Sequence, residues 1–118
     1  MQRILRATIH TLNGLRAVTA SEAAFRQELA VLAIAVPVAF LIAADGWKRL
    51  ALIAVIVLVL VVELLNTAIE KLADRVTLEQ DPIIGRVKDM GSAAVGLSLL
   101  LAGLFWLLAL WDRIAALL

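Results

Sequence analysis

Glu63, Asn66, Glu70 and Asp74 recur at spacings of three, four and four residues. At about 100° per helical residue they fall at roughly 0°, −60°, −20° and +20°, a single acidic stripe on a helix whose other faces are Leu, Ile, Ala and Val. The stripe starts where the apolar run Leu50 to Val62 ends. A carboxylate beside hydrocarbon is costly, so such a residue marks a functional site by default. Carboxylates with no cysteine and a single histidine, His10, suit hard cations such as Mg²⁺, which prefer oxygen ligands. Lysine and arginine nearby suit phosphate. Glu22 and Glu28 precede the first apolar span, and Arg86, Lys88, Asp89 and Ser92 lead into the last. Together these are the parts of a phosphoryl-transfer site: metal ligands, a cationic clamp and a base. There is no G-x-x-x-x-G-K-[ST] loop and no protein-kinase signature. Spacing and composition alone therefore reach only a polar, metal-capable site within a helical membrane protein.

The elements that must position these residues are apolar. The 118-residue chain is 64% hydrophobic with a net charge of +1, and its mean hydropathy is +1.01. A soluble domain is nearer 45–50% apolar, so one compact membrane domain is expected. The near-neutral charge excludes a basic field for nucleic acid. The absence of cysteine excludes disulfides and thiol chemistry. The opening decapeptide lacks the long apolar core of a cleavable signal, so insertion through the chain's own helices is expected.

Three spans are legible. Leu29 to Ala44 is free of charge and closes on Asp45-Gly46-Trp47, with Pro37 inside it. Leu50 to Val62 is too short for the roughly 20 residues a crossing needs, so this helix must continue to about Ile69 and carry Glu63 and Asn66 to the membrane boundary. Met90 to Trp111 is the third. Eight of the eleven basic residues lie in the N-terminal segment (Arg3, Arg6, Arg16, Arg26) and in the second loop (Lys71, Arg75, Arg86, Lys88). That asymmetry places both in the cytoplasm. Trp47, Trp106 and Trp111 then fall near the opposite interface as an aromatic belt.

Ile4, Leu5, Ile9, Leu12 and Leu15 cluster within about 140° of arc, as an interfacial surface helix requires. Asn13-Gly14 is expected to break or bend it. Thr19-Ala-Ser-Glu22 fits a capping box that opens the next helix. Asp81-Pro82 and Gly85 mark a turn in the second loop. The fold expected is all-α: a surface helix at about 3–18 and spans at about 22–45, 48–75 and 86–113.

Each polar residue also has a structural reading. Glu63 pairs with Lys71 or a neighbouring helix. Glu22 is the capping-box acid, Asp74 pairs with Arg75 or Arg86, and Asn66 bridges helices. Lys88 is an ordinary anchor on the positive side. Gly91, Gly96 and Gly103 permit close packing. Three short helices cannot enclose a polar stripe, and each charge left in mid-bilayer costs about 2.5–3.5 kcal/mol, so association into an oligomer is expected.

Four segments narrow the choice: Glu22-Ala-Ala-Phe-Arg-Gln-Glu28, Glu63-Leu-Leu-Asn66-Thr-Ala-Ile-Glu70, Asp74-Arg75 and Lys88-Asp89-Met-Gly-Ser-Ala-Ala-Val95. In order and over nearly the whole chain they resemble the bacterial integral-membrane diacylglycerol kinase family, and the E-A-A-F-R-Q-E form favours its Gram-negative branch over the related undecaprenol kinases. The resemblance implies a homotrimer of the bacterial inner membrane that transfers the γ-phosphate of ATP to diacylglycerol, giving phosphatidic acid. It implies Glu63 as general base and Glu22 and Glu70 as Mg²⁺ ligands that also meet ATP. Nucleotide contacts fall on Arg3, His10, Glu79, Gln80, Asp81, Lys88 and Asp89. Lipid contacts fall on Glu63, Ser92, Glu28 and Arg16, with Asn66 and Asp74 in support. One stretch departs from the pattern: where the family has H-x-L-S-G-R-A-K-D, this chain has Asp81-Pro-Ile-Ile-Gly85-Arg-Val-Lys88-Asp89. The alternatives are an undecaprenol kinase and a small membrane protein without enzymatic activity.

Overall fold

The computed structural model describes residues 1–118 as four helices without strands: α1 (Gln2–Ser21), α2 (Ala23–Ile42), α3 (Gly46–Val76) and α4 (Pro82–Leu117). The last three are long and apolar enough to cross a membrane, each holding an 18-residue stretch with a mean hydropathy of 1.8, 2.7 and 2.3 in turn. The chain is a membrane protein. Helix α3 is central: it packs extensively on α4 and next on α2, whereas α2 and α4 barely meet.

The links after α2 and α3 are short and capped by their own side chains. After α2, Asp45 accepts the Trp47 N–H at 3.2 Å and starts α3. Arg49, one turn on, folds back over α2. Its Nε donates to the Ala43 carbonyl at 2.7 Å, Nη2 reaches the Phe40 carbonyl at 3.4 Å, and the guanidinium lies 4.6 Å above the Phe40 ring. Carbonyls at a helix end have no partner of their own, and Arg49 supplies two. At the other link Asp81 accepts from Ile83 and Ile84 N–H at 2.8 and 3.2 Å, and Pro82 occupies the first turn of α4, where a missing N–H costs nothing. Gly85, expected in a turn, is already helical.

The start of the chain also departs from expectation. Asn13-Gly14 does not interrupt α1, which is continuous to Ser21. The capping box does not form, because the Thr19 hydroxyl donates backwards to the Leu15 carbonyl at 2.6 Å. The interruption is Glu22 alone, extended at φ −116°, ψ 111°, with no side-chain cap. Arg26 closes the end of α1 instead, donating to the carbonyls of Thr19 at 2.8 Å and Ala20 at 3.2 Å. Exposure along the apolar side of α1 falls from 68% at Ile4 to 6% at Val18. Helix α1 is thus anchored at its end and stands free of the bundle at its start, its apolar side available to the membrane interface.

The core runs as three small clusters down α3. Ala39, Ala43, Leu52 and Ala109 pack near the α2–α3 link, Val55, Val59 and Ala102 at mid-height, and Val18, Phe25 and Leu60 near the α1 end. Alanines at the crossings let the backbones approach, as membrane bundles require. Trp106 joins the first two clusters, and its indole N–H donates to the Leu52 carbonyl at 3.1 Å. It is a packing residue of the bundle, while Trp47 and Trp111 remain exposed as a belt demands. Only 16 of 118 residues are buried, so the apolar outer faces of α2 and α4 are left for lipid or for other copies.

Candidate active site

Helix length sets depth. The 31 residues of α3 span about 46 Å, against a hydrocarbon core of about 30 Å. Measured from Gly46, Glu63 lies about 26 Å along the axis, Glu70 about 36 Å and Asp74 about 42 Å. The stripe therefore leaves the hydrocarbon near Glu63 and ends in water. Along it Glu63 is half-buried, whereas Glu70 and Asp74 are exposed.

Four carboxylates lie around this boundary, with Glu63 as their common neighbour. Glu28 of α2 and Glu63 of α3 lie within range of each other's charge, and Glu63 also feels Glu70 and Glu22. The four sit at the break between α1 and α2 and on the facing turns of α2 and α3. Glu28 is half-buried, and its Oε2 is shut from solvent without a hydrogen-bond partner. Glu22 faces a cation, with Lys71 Nζ 3.6 Å from its Oε1. Lys71 also donates to the Ser21 hydroxyl at 3.1 Å. The competing pairing of Glu63 with Lys71 is not the one formed.

Asn66 ties the stripe to α4. It is buried, its Nδ2 donates to Glu70 Oε1 at 3.3 Å, and its Oδ1 has no partner. That oxygen lies against Gly91, where an added Cβ would overlap it. Gly91 thus serves close packing within the chain as expected, while Gly96 and Gly103 have open space beside them in the single chain. Farther out, Lys88 Nζ lies 2.5 Å from Asp74 Oδ1. Asp74 was expected to meet Arg75 or Arg86, but α4 turns Lys88 towards it.

The remaining candidates are placed around this centre. Glu79, Gln80, Asp81 and Lys88 line a polar recess of about 460 Å³ over the α3–α4 link. Within it the Asp81 carboxylate is engaged in capping α4. Asp89 and Ser92 are exposed on the first turns of α4. Arg16 is exposed beside a shallow recess formed with Leu12, Leu15, Thr19 and Ala20. Arg3 and His10 lie on the free part of α1, exposed and away from the acidic group. One chain thus gathers Glu22, Glu28, Glu63 and Glu70, but not Arg3, His10, Arg16, Asp89 or Ser92. The Lys71–Ser21–Glu22 contact was not foreseen. Its one available signal was that Lys71, a residue beyond Glu70, is turned about 100° off the stripe towards α1 and α2.

Neighbouring carboxylates repel one another, so the arrangement favours a bound positive charge. A family model described as prokaryotic diacylglycerol kinase matches residues 9–110. The chain is similar to the diacylglycerol kinase of Escherichia coli (strain K12), 43% identical over 111 residues, covering 94% of this chain and 91% of the relative. It is 45% identical over 106 residues to the diacylglycerol kinase of Pseudomonas aeruginosa, covering 90% and 86% of the two chains. A diacylglycerol kinase of Helicobacter pylori (strain 26695) is 34% identical over 112 residues, covering 95% and 84%.

Proposed function

The chain belongs to the prokaryotic diacylglycerol kinase family, and from that membership we propose how its carboxylate cluster carries out the reaction. The protein is a kinase that phosphorylates diacylglycerol. The reading rests on Glu63, half-buried on α3, having Glu22, Glu28 and Glu70 as charged neighbours.

Glu63 takes the proton of the lipid hydroxyl. The oxygen so freed attacks the γ-phosphorus of ATP, the bond to the bridging β,γ-oxygen breaks, and ADP and phosphatidic acid result. Glu63 suits this role because it is the stripe carboxylate nearest the lipid. The acceptor hydroxyl arrives laterally from the bilayer and ATP arrives from water, so the reaction must occur at their boundary. Glu28, with an unpartnered oxygen beside Glu63, orients the lipid headgroup. Ser92 and Arg16 flank its approach. Asn66 holds Glu70 in place through its 3.3 Å hydrogen bond.

The donor set fits Mg²⁺. Each candidate ligand, Glu22 and Glu70, offers carboxylate oxygens. Oxygen donors suit a hard ion that takes one or two carboxylates and completes its shell with phosphate and water. Glu22 and Glu70 would hold it, and when bound it would offset charge on the phosphates of ATP. Lys88 and Asp89, with Glu79 and Gln80 in the recess above the link, receive the nucleotide. Asp81 shapes that recess by capping α4. Arg3 and His10, on the free arm of α1, close over the nucleotide from the interface.

The preponderance of basic residues at the α1 end makes that end cytoplasmic, in a bacterial inner membrane. The half-buried stripe and the bare faces of α2 and α4 support a homotrimer, in which neighbouring copies cover what three helices cannot. The named relatives are diacylglycerol kinases, which favours this lipid over undecaprenol. Purified protein given radiolabelled ATP should label diacylglycerol strongly and undecaprenol weakly or not at all. The reverse preference would overturn the assignment.

A further inference from the structure

Three ion pairs form in the chain: Lys48–Asp112 at the far end, Lys88–Asp74, and Lys71–Glu22. Only the last touches the carboxylates around Glu63. Glu28, Glu63 and Glu70 have no cation within ion-pair distance, so Lys71 is the one side chain that offsets the charge of the group. It does so at the carboxylate that the proposed mechanism assigns to the metal.

We propose that Lys71 is a resident counter-ion of Glu22, displaced when the divalent cation binds, and that it thereby sets the metal concentration the enzyme requires. The inference rests on the assignment of Glu22 as a metal ligand. Its geometry is a three-point contact at the α1–α2 break. Lys71 Nζ is 3.6 Å from Glu22 Oε1 and 3.1 Å from Ser21 Oγ, and Ser21 Oγ is 3.5 Å from Glu22 Oε1. The ion-pair contact is loose and the Lys71 side chain is 56% exposed. An ammonium is a compact point charge on a flexible four-carbon stem, so it can leave Glu22 without moving α3. A divalent ion on the same carboxylate repels the ammonium and weakens the pair. Ser21 keeps the displaced lysine within reach, so the pair re-forms when the metal departs. The acidic group is thus never left bare, and each metal-binding event includes the loss of one exposed ion pair.

Binding of Mn²⁺ to purified full-length protein in detergent micelles, read from the electron paramagnetic resonance of free Mn²⁺, tests this without turnover. Lys71→Gln should bind Mn²⁺ about two- to fivefold more tightly, the fold-change that corresponds to an exposed pair. Lys71→Arg, which keeps the charge, should remain near the parent. Unchanged or weaker binding in Lys71→Gln would overturn the counter-ion role. Glu22→Gln separates the two assignments. If it weakens Mn²⁺ binding while Lys71→Gln leaves binding unchanged, the counter-ion role fails and the metal site stands. If Glu22→Gln binds Mn²⁺ as the parent does, Glu22 is not a ligand and both fall.

Discussion

Lys88, near the start of α4, lies 2.5 Å from Asp74, on the last turns of α3. The pair joins the two helices that form the water end of the site. In the proposed nucleotide site, Lys88 would exchange this carboxylate for a phosphate of ATP. The two side chains are 41% and 51% exposed, so the pair contributes about 0.2–1 kcal/mol and yields readily to a triphosphate. Asp74→Asn should therefore lower KM for ATP about two- to fivefold, since it frees Lys88 and removes a negative charge. Lys88→Met should raise KM for ATP by about tenfold or more, as expected for losing a charge-assisted phosphate contact. Steady-state kinetics at saturating lipid check both. A raised KM in Asp74→Asn would show that Asp74 positions Lys88 rather than competing for it.

Gly91 and Asn66 form a size-limited contact between α4 and α3. A methyl group at position 91 meets the Asn66 side chain, which is buried and cannot turn outward. Gly91→Ala should destabilise the bundle by about 1–3 kcal/mol, as over-packing does, and should lower activity by shifting Glu70. Adding Asn66→Ala removes the obstruction, so the double variant should regain part of the lost stability but not the activity. Thermal unfolding in micelles, with activity assays beside it, reads the coupling. Strictly additive losses would contradict the contact.

Arg49 provides a contrast far from the chemistry. Arg49→Ala removes two hydrogen bonds to the end of α2 and the contact with Phe40. A destabilisation of about 1–3 kcal/mol follows, with turnover of the folded protein unchanged. Arg49→Lys should recover little, because a point charge cannot reproduce the planar fork.

Removal of divalent ions by EDTA should abolish lipid phosphorylation, and Mg²⁺ should restore it. Full activity in EDTA would remove the metal from the mechanism and leave Glu22 and Glu70 without their assigned role.

The helices were largely legible in the sequence because membrane spans leave a one-dimensional signal: Leu29 to Ala44 and Met90 to Trp111 carry no charge at all. The stripe was legible because Glu63, Asn66, Glu70 and Asp74 share one helical face. What was not legible depended on contacts across helices or on local competition. Thr19 satisfies its hydroxyl within α1, so the S/T-x-x-E pattern does not become a cap, and Glu22 is released to face Lys71. Trp106 has the depth of a belt residue but points inward, because Leu52 offers its indole a carbonyl. The partner of Asp74 depends on how α4 is turned about its axis, which Asp81 and Pro82 settle at its first residues and no periodicity in α3 records.

The account turns on Glu63 as the base. Replacing it by glutamine keeps the shape and removes the acceptor for the proton, and general-base catalysis contributes about 10²–10⁴ in rate. Glu63→Gln, assayed with radiolabelled ATP and diacylglycerol beside a nucleotide-binding measurement, should lose turnover by about that factor while ATP binding changes little. Turnover within a few-fold of the parent, at full nucleotide occupancy, would contradict it.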